Sequence, residues 1–106
     1  MVSAGIMTTQ EFDMMTAKWE ICIVSFTSLS DTNSRLVLPV LEYVSDKHKD
    51  LSMINFDTSS AQNIAEKFDI NSVPTLVILK KGKEHARIEP KPDVREIEHF
   101  IFSNIN

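Results

Sequence analysis

Cysteine and glycine are scarce in this chain of 106 residues, which contains one cysteine, Cys22, and two glycines. A single thiol excludes an intramolecular disulfide, a Cys-x-x-Cys redox pair and a zinc site built from several cysteines. The three histidines lie too far apart in sequence for a local metal-binding motif. With so few glycines, no flexible linker, internal repeat or low-complexity tract is visible. We therefore expect no metal and no other cofactor.

Positive charge is also in deficit, because 11 Lys and Arg residues stand against 15 Asp and Glu residues, for a net charge of −4. A general nucleic-acid binder needs a basic surface to displace counterions, so nucleic acid is not an expected partner. No apolar run approaches the ~20 residues of a membrane-spanning helix. The first seven residues do not have the pattern of a secretory signal, and no Asn-x-Ser/Thr sequon occurs. These absences favour a cytoplasmic protein without membrane contact.

The remaining composition is that of a soluble globular domain, with 42% hydrophobic and 25% charged residues. The length suits one hydrophobic core, so residues 1–106 are expected to form a single domain. Short apolar runs alternate with helical patterns in the order β-α-β-α-β-α-β-β-α. This order predicts an α/β fold with parallel central strands and an antiparallel hairpin at one edge.

The boundaries follow from apolar periodicity, capping residues and turn signals. Residues 21–26 form a nearly continuous apolar run, which is typical of a strand covered on both faces. Further strands are predicted at residues 2–7, 51–56, 75–79 and 84–88. Helices are predicted at residues 8–18, at 32–49, after a cap at Ser59 or Ser60, and from a first turn that contains Pro92.

The helix predicted at residues 32–49 has two notable features. Asp31 is placed to cap its N-terminus by accepting hydrogen bonds from backbone N–H groups. Pro39 lies inside it, where it removes one hydrogen bond and should bend the axis. The apolar stripe of this helix is predicted to consist of Leu36, Val40, Leu41 and Val44.

These features occur in an order that resembles the thioredoxin family across nearly the whole chain. The matching segments are residues 24–26 (Val-Ser-Phe), 39–41 (Pro-Val-Leu), 56–57 (Phe-Asp), 65–70 (Ala-Glu-Lys-Phe-Asp-Ile), 72–75 (Ser-Val-Pro-Thr) and 81–82 (Lys-Gly). The resemblance implies a thioredoxin fold, a central mixed β-sheet flanked by helices. It also implies a cis peptide bond before Pro74, beside the active loop.

The resemblance also shows which residues are missing. Counting back from Pro39 places the family's Trp-Cys-Gly-Pro-Cys on residues 30–34, so that Asp31 and Ser34 replace both cysteines. Disulfide exchange needs a low-pKa thiolate to attack and a second thiol to resolve the mixed disulfide. Ser25 stands where many thioredoxins keep a buried acid, and Glu89-Pro90 replaces a Val-Gly of the docking surface. The implied domain is redox-inactive, and no catalytic residue is expected.

Residues 65–75 also resemble, more weakly, the N-terminal thioredoxin-like domain of multidomain monothiol glutaredoxins. Those domains lack a complete Cys-x-x-Cys and act in protein association and in the handling of iron or iron–sulfur clusters.

Asp31 and Ser34 allow three interpretations. They can be a helix cap and a first-turn residue, a polar contact for a partner, or, for Ser34 or Asn33, a site for an anion or the thiol of glutathione at the helix N-terminus.

Three functions remain open from the sequence. In the leading one, the chain binds a protein or an extended peptide in the family's docking groove. In the second, it takes part in thiol chemistry through Cys22 or glutathione; in the third, it is a structural module that binds through a helical face. The residues expected to contact the partner are Leu29, Ser30, Asp31, Thr32, Asn33, Val73, Pro74, Thr75 and Pro90.

Overall fold

The order of secondary-structure elements in the computed structural model, which describes residues 1–105, confirms the predicted α/β fold. Five strands form one mixed sheet in the order β1-β3-β2-β4-β5. The strands are β1 (Val2–Ser3), β2 (Ile21–Thr27), β3 (Met53–Asp57), β4 (Thr75–Lys80) and β5 (Lys83–Ile88). The helices are α1 (Thr9–Thr16), α2 (Thr32–Lys47), α3 (Gln62–Lys67) and α4 (Val94–Asn104).

Strand β2 lies in the middle of the sheet. It pairs in parallel with β3 on one side and antiparallel with β4 on the other. Strands β4 and β5 form the predicted edge hairpin. Its turn contains Lys81 and Gly82, both with positive φ, and the missing Cβ of Gly82 makes that conformation inexpensive.

Side chains of β2 alternate between two hydrophobic cores, which explains its continuous apolar run. On one face, Cys22, Val24 and Phe26 join a cluster in which four phenylalanine rings contact one another. On the other face, Ile23 packs in a cluster that α2 and α4 cover. The four phenylalanines are Phe12, Phe26, Phe56 and Phe68.

The apolar stripe predicted for α2 is wrong by one position at its start. Leu36 is 54% exposed, whereas Val37, Leu41 and Val44 are fully buried. Apolar residues surround the first half of this helix, so spacing alone did not determine which of them faces the sheet. Asp31 is the N-cap, as predicted, and Pro39 lies within the helix.

Most other boundaries lie within two residues of those predicted, and three elements begin or end differently for reasons that the structure shows. Strand β1 has only two residues. The N-cap of α3 is Ala61 rather than Ser59 or Ser60, because both serines bond to Asp57 in the preceding turn. Pro92 precedes α4, whose N-cap Asp93 accepts hydrogen bonds from two backbone N–H groups.

A polar contact on the protein surface joins α2 to α4. One carboxylate oxygen of Glu98 lies 2.7 Å from His48 Nε2 and 3.1 Å from Lys47 Nζ. The hydrogen bond to His48, followed by that to Lys47, holds the pKa of Glu98 below its ordinary value. The ionised form of Glu98 is therefore favoured in the folded chain.

This contact predicts a pH-dependent contribution to stability. A lowered carboxyl pKa stabilises the fold above the ordinary value of the unfolded chain, and this contribution is lost as pH falls through the folded-state pKa. Glu98→Gln should therefore lower the free energy of unfolding at about pH 6 and make little difference at about pH 3. Urea unfolding at both pH values measures this, with Glu66→Gln as the control, because Glu66 is exposed and has no ion pair among residues 1–105. A deficit of the same size at both pH values would contradict the assignment.

Candidate functional site

The loop after β2 leads into α2 at the carboxyl end of the central strand. Asp31 terminates it by capping the helix, and its Oδ2 accepts a hydrogen bond from the backbone N–H of Ser34 at 2.7 Å. Arg35 binds the loop from the first turn of α2, donating from Nη1 to the carbonyl oxygen of Leu29 at 2.7 Å. The carboxylate at position 31 thus has a structural partner in the first turn of α2.

Ser34 is fully buried, and its hydroxyl accepts a hydrogen bond from the backbone N–H of Ser28 at 3.1 Å. The side chains of residues 31 and 34 are therefore both engaged in fixing the loop. This arrangement agrees with the first of the three interpretations, in which Asp31 is a helix cap and Ser34 is a first-turn residue.

A neutral polar cluster lies between β2 and β3. The hydroxyl of Ser25 donates to Asn55 Oδ1 at 2.8 Å, and the hydroxyl of Thr27 donates to the same oxygen at 2.9 Å. All three side chains are buried. None of them ionises, so this cluster has no group that could accept a proton from a nucleophile. The sequence analysis missed Asn55, although it is the one polar residue between apolar neighbours in β3.

Cys22 lies within β2, opposite Leu79 of β4, and is fully buried. Burial raises the pKa of its thiol to about 12. A thiol needs to ionise and to be reached by its substrate in order to react. The position of Cys22 therefore disfavours thiol chemistry.

The segment that precedes β4 lies beside the loop, because Thr75 pairs with Phe26 at the end of β2. The peptide bond between Val73 and Pro74 is cis. The backbone N–H and carbonyl of Val73 have no hydrogen-bond partner among residues 1–105. The backbone at Val73 is thus free to bind an extended chain.

The residues predicted to contact a partner divide into two groups. Leu29 is 65% exposed, and Ser30, Thr32 and Asn33 are exposed around it, whereas Asp31 and Val73 are half-buried. By contrast, Pro74, Thr75 and Pro90 are buried. Their burial leaves a partner little of their side chains to contact directly. That these residues contact a partner stays a prediction.

No helix of residues 1–105 is long and apolar enough to cross a membrane. Within the same residues, no cluster of three or more His, Cys, Asp or Glu side chains is placed to hold a metal ion.

With the fold and the site described, comparison with known proteins gives a consistent result. The sequence profile of the thioredoxin family, described as thioredoxin, matches residues 3–103. The chain belongs to the thioredoxin family. Its similarity to Chlamydia pneumoniae thioredoxin is 31% identity over 98 residues, which cover 91% of this chain and 93% of that protein. Its similarity to Saccharomyces cerevisiae thioredoxin-1 is 26% identity over 81 residues, which cover 76% of this chain and 79% of that protein.

Solved thioredoxin structures share the fold. Plasmodium falciparum thioredoxin aligns with a TM-score of 0.85 at 20% identity, covering 97% of this chain and 98% of that chain. Fasciola hepatica thioredoxin aligns with a TM-score of 0.85 at 18% identity, covering 98% of this chain and 99% of that chain.

The cap at Asp31 predicts an effect on stability that distinguishes the capping hydrogen bond from the negative charge of the carboxylate. Asp31→Ala should lower the free energy of unfolding by ~1 kcal/mol, because the N–H of Ser34 loses its acceptor. Asp31→Asn keeps a side-chain oxygen in place and should retain most of that stability. Equilibrium urea unfolding of the two variants and the native chain checks this. Equal destabilisation by Ala and Asn would indicate that the charge, not the cap, matters at this position.

Proposed function

We propose that this thioredoxin-family chain does not exchange disulfides and that it binds an extended segment of a partner protein beside Val73. The proposal depends on which side chains stand at positions 31 and 34 and on the hydrogen bonds that they accept. One holds a carboxylate that caps α2, and the other holds a buried hydroxyl that accepts from Ser28. Neither side chain can attack a disulfide.

The docking groove is formed by the loop at residues 27–34, by residues 73–75 and by the loop around residues 89–90. It retains two features that an extended segment needs. The free backbone of Val73 offers one donor and one acceptor, and exposed Leu29 offers an apolar contact on the loop nearby. Backbone pairing of this kind supplies affinity with little demand on partner sequence, and adjacent side chains supply selectivity. Binding at this place needs neither a cofactor nor a second thiol.

The rival function, thiol chemistry through Cys22 or glutathione, has less support. Cys22 is buried in β2 and its pKa is raised to about 12. The hydroxyl of Ser34, which with Asn33 was a candidate to hold the thiol of glutathione, already accepts a backbone hydrogen bond. We retain the cytoplasm as the proposed compartment, because a reducing environment keeps a lone thiol reduced.

The absence of a thiol pair predicts that the native chain does not catalyse insulin reduction by thioredoxin reductase or by dithiothreitol. The turbidity of precipitating insulin measures the rate, and Cys22→Ser serves as the matched control. A rate well above background in both proteins would contradict the proposal, because no thiol pair could account for it.

Introducing the missing cysteines tests whether residues 31 and 34 occupy the redox positions. The double variant Asp31→Cys, Ser34→Cys should form an intramolecular disulfide, since residues three apart at a helix start lie within the ~4.4–6.8 Å Cα separation that a disulfide tolerates. Turnover should recover only in part, because the cluster around Ser25 has no group to accept a proton. Thiol counting and mass spectrometry check closure, with Asp31→Cys alone as the control. Free thiols after mild oxidation would show that the loop is wrongly aligned.

A further inference from the structure

Two cavities are lined in part by residues 71–73. One has a volume of about 310 Å³, with an apolar wall that includes Ile70 and Val73 and with Glu66 in its lining. The other has a volume of about 260 Å³ and is lined by Asp69, Arg87 and Glu89 among others. Both include Asn71 and Ser72, so the two cavities adjoin at the residues that precede Val73.

The charge of these cavities is mostly negative. Their linings contain three carboxylates, those of Glu66, Asp69 and Glu89, and one cation, Arg87. The guanidinium of Arg87 is already paired, since it donates two hydrogen bonds of 2.7 Å to Glu84. The hydrogen bond from Arg87 holds the pKa of Glu84 below its ordinary value, which keeps the pair ionised. Glu84 therefore offsets the charge of Arg87, which also attracts Asp69, and the carboxylates of Glu66 and Glu89 leave the lining negative.

Arg87 also forms a hydrogen bond that connects two elements of the fold. Its Nη2 donates to the carbonyl oxygen of Phe68 at 2.6 Å, which ties the end of α3 to the edge strand β5. This bond fixes the turn at Asp69, where φ is 51°. The guanidinium is thus directed to the turn and to Glu84, and its charge also acts on Asp69.

The three carboxylates have no cation within ion-pairing distance among residues 1–105. Glu89 accepts a hydrogen bond from the hydroxyl of Ser72, which is neutral and leaves the negative charge in place. Lys67, the neighbour of Glu66 in sequence, pairs instead with Asp13 at 3.1 Å. The Ser72–Glu89 hydrogen bond also holds one carboxylate next to the segment where a partner's backbone would pair.

We infer that the partner segment is basic: an extended stretch of protein with Lys or Arg side chains close to the residue that pairs with Val73. This inference rests on the proposed function and names the chemistry of the partner. The backbone of the segment pairs with Val73, and its cationic side chains lie beside Glu89 on one side or Glu66 on the other. Complementary charge of this kind sets selectivity between partners and weakens as salt rises.

Three synthetic peptides of equal length test the inference. Each has a Val-Thr core that favours an extended chain, flanked by Lys in the first, by Gln in the second and by Glu in the third. Titration of the ¹⁵N-labelled native chain, followed by NMR chemical shifts, yields both the affinity and the place of binding. We expect the Lys peptide to bind most tightly, with shifts at residues 71–73 and 89, and to lose that advantage in high salt.

Charge variants separate a local effect from general attraction to an acidic protein. Glu66→Gln and Glu89→Gln should each weaken binding of the Lys peptide about three- to fivefold at low salt. Asp50→Asn removes the same charge from an exposed residue at the other end of the sheet and should change the affinity little. Glu89→Lys should shift preference towards the Glu peptide. Equal loss in Asp50→Asn would overturn the inference, because the attraction would then depend only on net charge.

The outcomes also distinguish this inference from the function on which it rests. Equal binding of all three peptides at residues 71–73 would keep the proposed function and overturn the basic preference. Preference for the Glu peptide would do the same. Failure of every peptide to shift these residues would overturn both.

Discussion

Coverage of strand β2 on both faces is the constraint on which the rest of the structure depends. Its side chains enter the phenylalanine cluster on one side and the core under α2 and α4 on the other. A strand buried in this way needs partners on both edges, and β3 and β4 provide them. The loop that follows β2 is therefore fixed at its start, next to the beginning of β4. The free backbone of Val73 is held beside that loop for the same reason.

The same geometry that serves thiol chemistry in the family serves a different purpose here. A helix N-terminus at the end of a central strand stabilises negative charge, whether that of a thiolate or that of a carboxylate. In this chain the charge belongs to Asp31, which uses it to cap α2. Ser34, Ser25 and Asn55 complete a set of neutral polar groups that satisfy one another and the loop. The fold persists without a pair of thiols, and partner binding is the function that we propose for it.

Local patterns predicted much of this architecture. The apolar run at residues 21–26 identified the central strand, and the placing of Asp31 before a helical pattern identified the cap. Features that depend on neighbours distant in sequence were not predictable in this way. The burial of Pro90, the pairing of Asn55 with Ser25, and the reach of Arg87 to Phe68 all depend on how the sheet brings segments together. Which face of α2 is buried was also not predicted correctly. Apolar residues lie on several sides of its first half, so more than one face could have packed against the sheet.

The reactivity of Cys22 tests the central claim, that the chain has no usable thiol and acts by association. The rate of alkylation by iodoacetamide, measured at about pH 8 by mass spectrometry, compares the folded chain with the chain unfolded in urea. Because burial raises the pKa of Cys22 to about 12, the folded chain should react far more slowly, by roughly a hundredfold or more. Comparable rates in the two states would contradict the account, since they would place a reactive thiol on the surface of the folded domain.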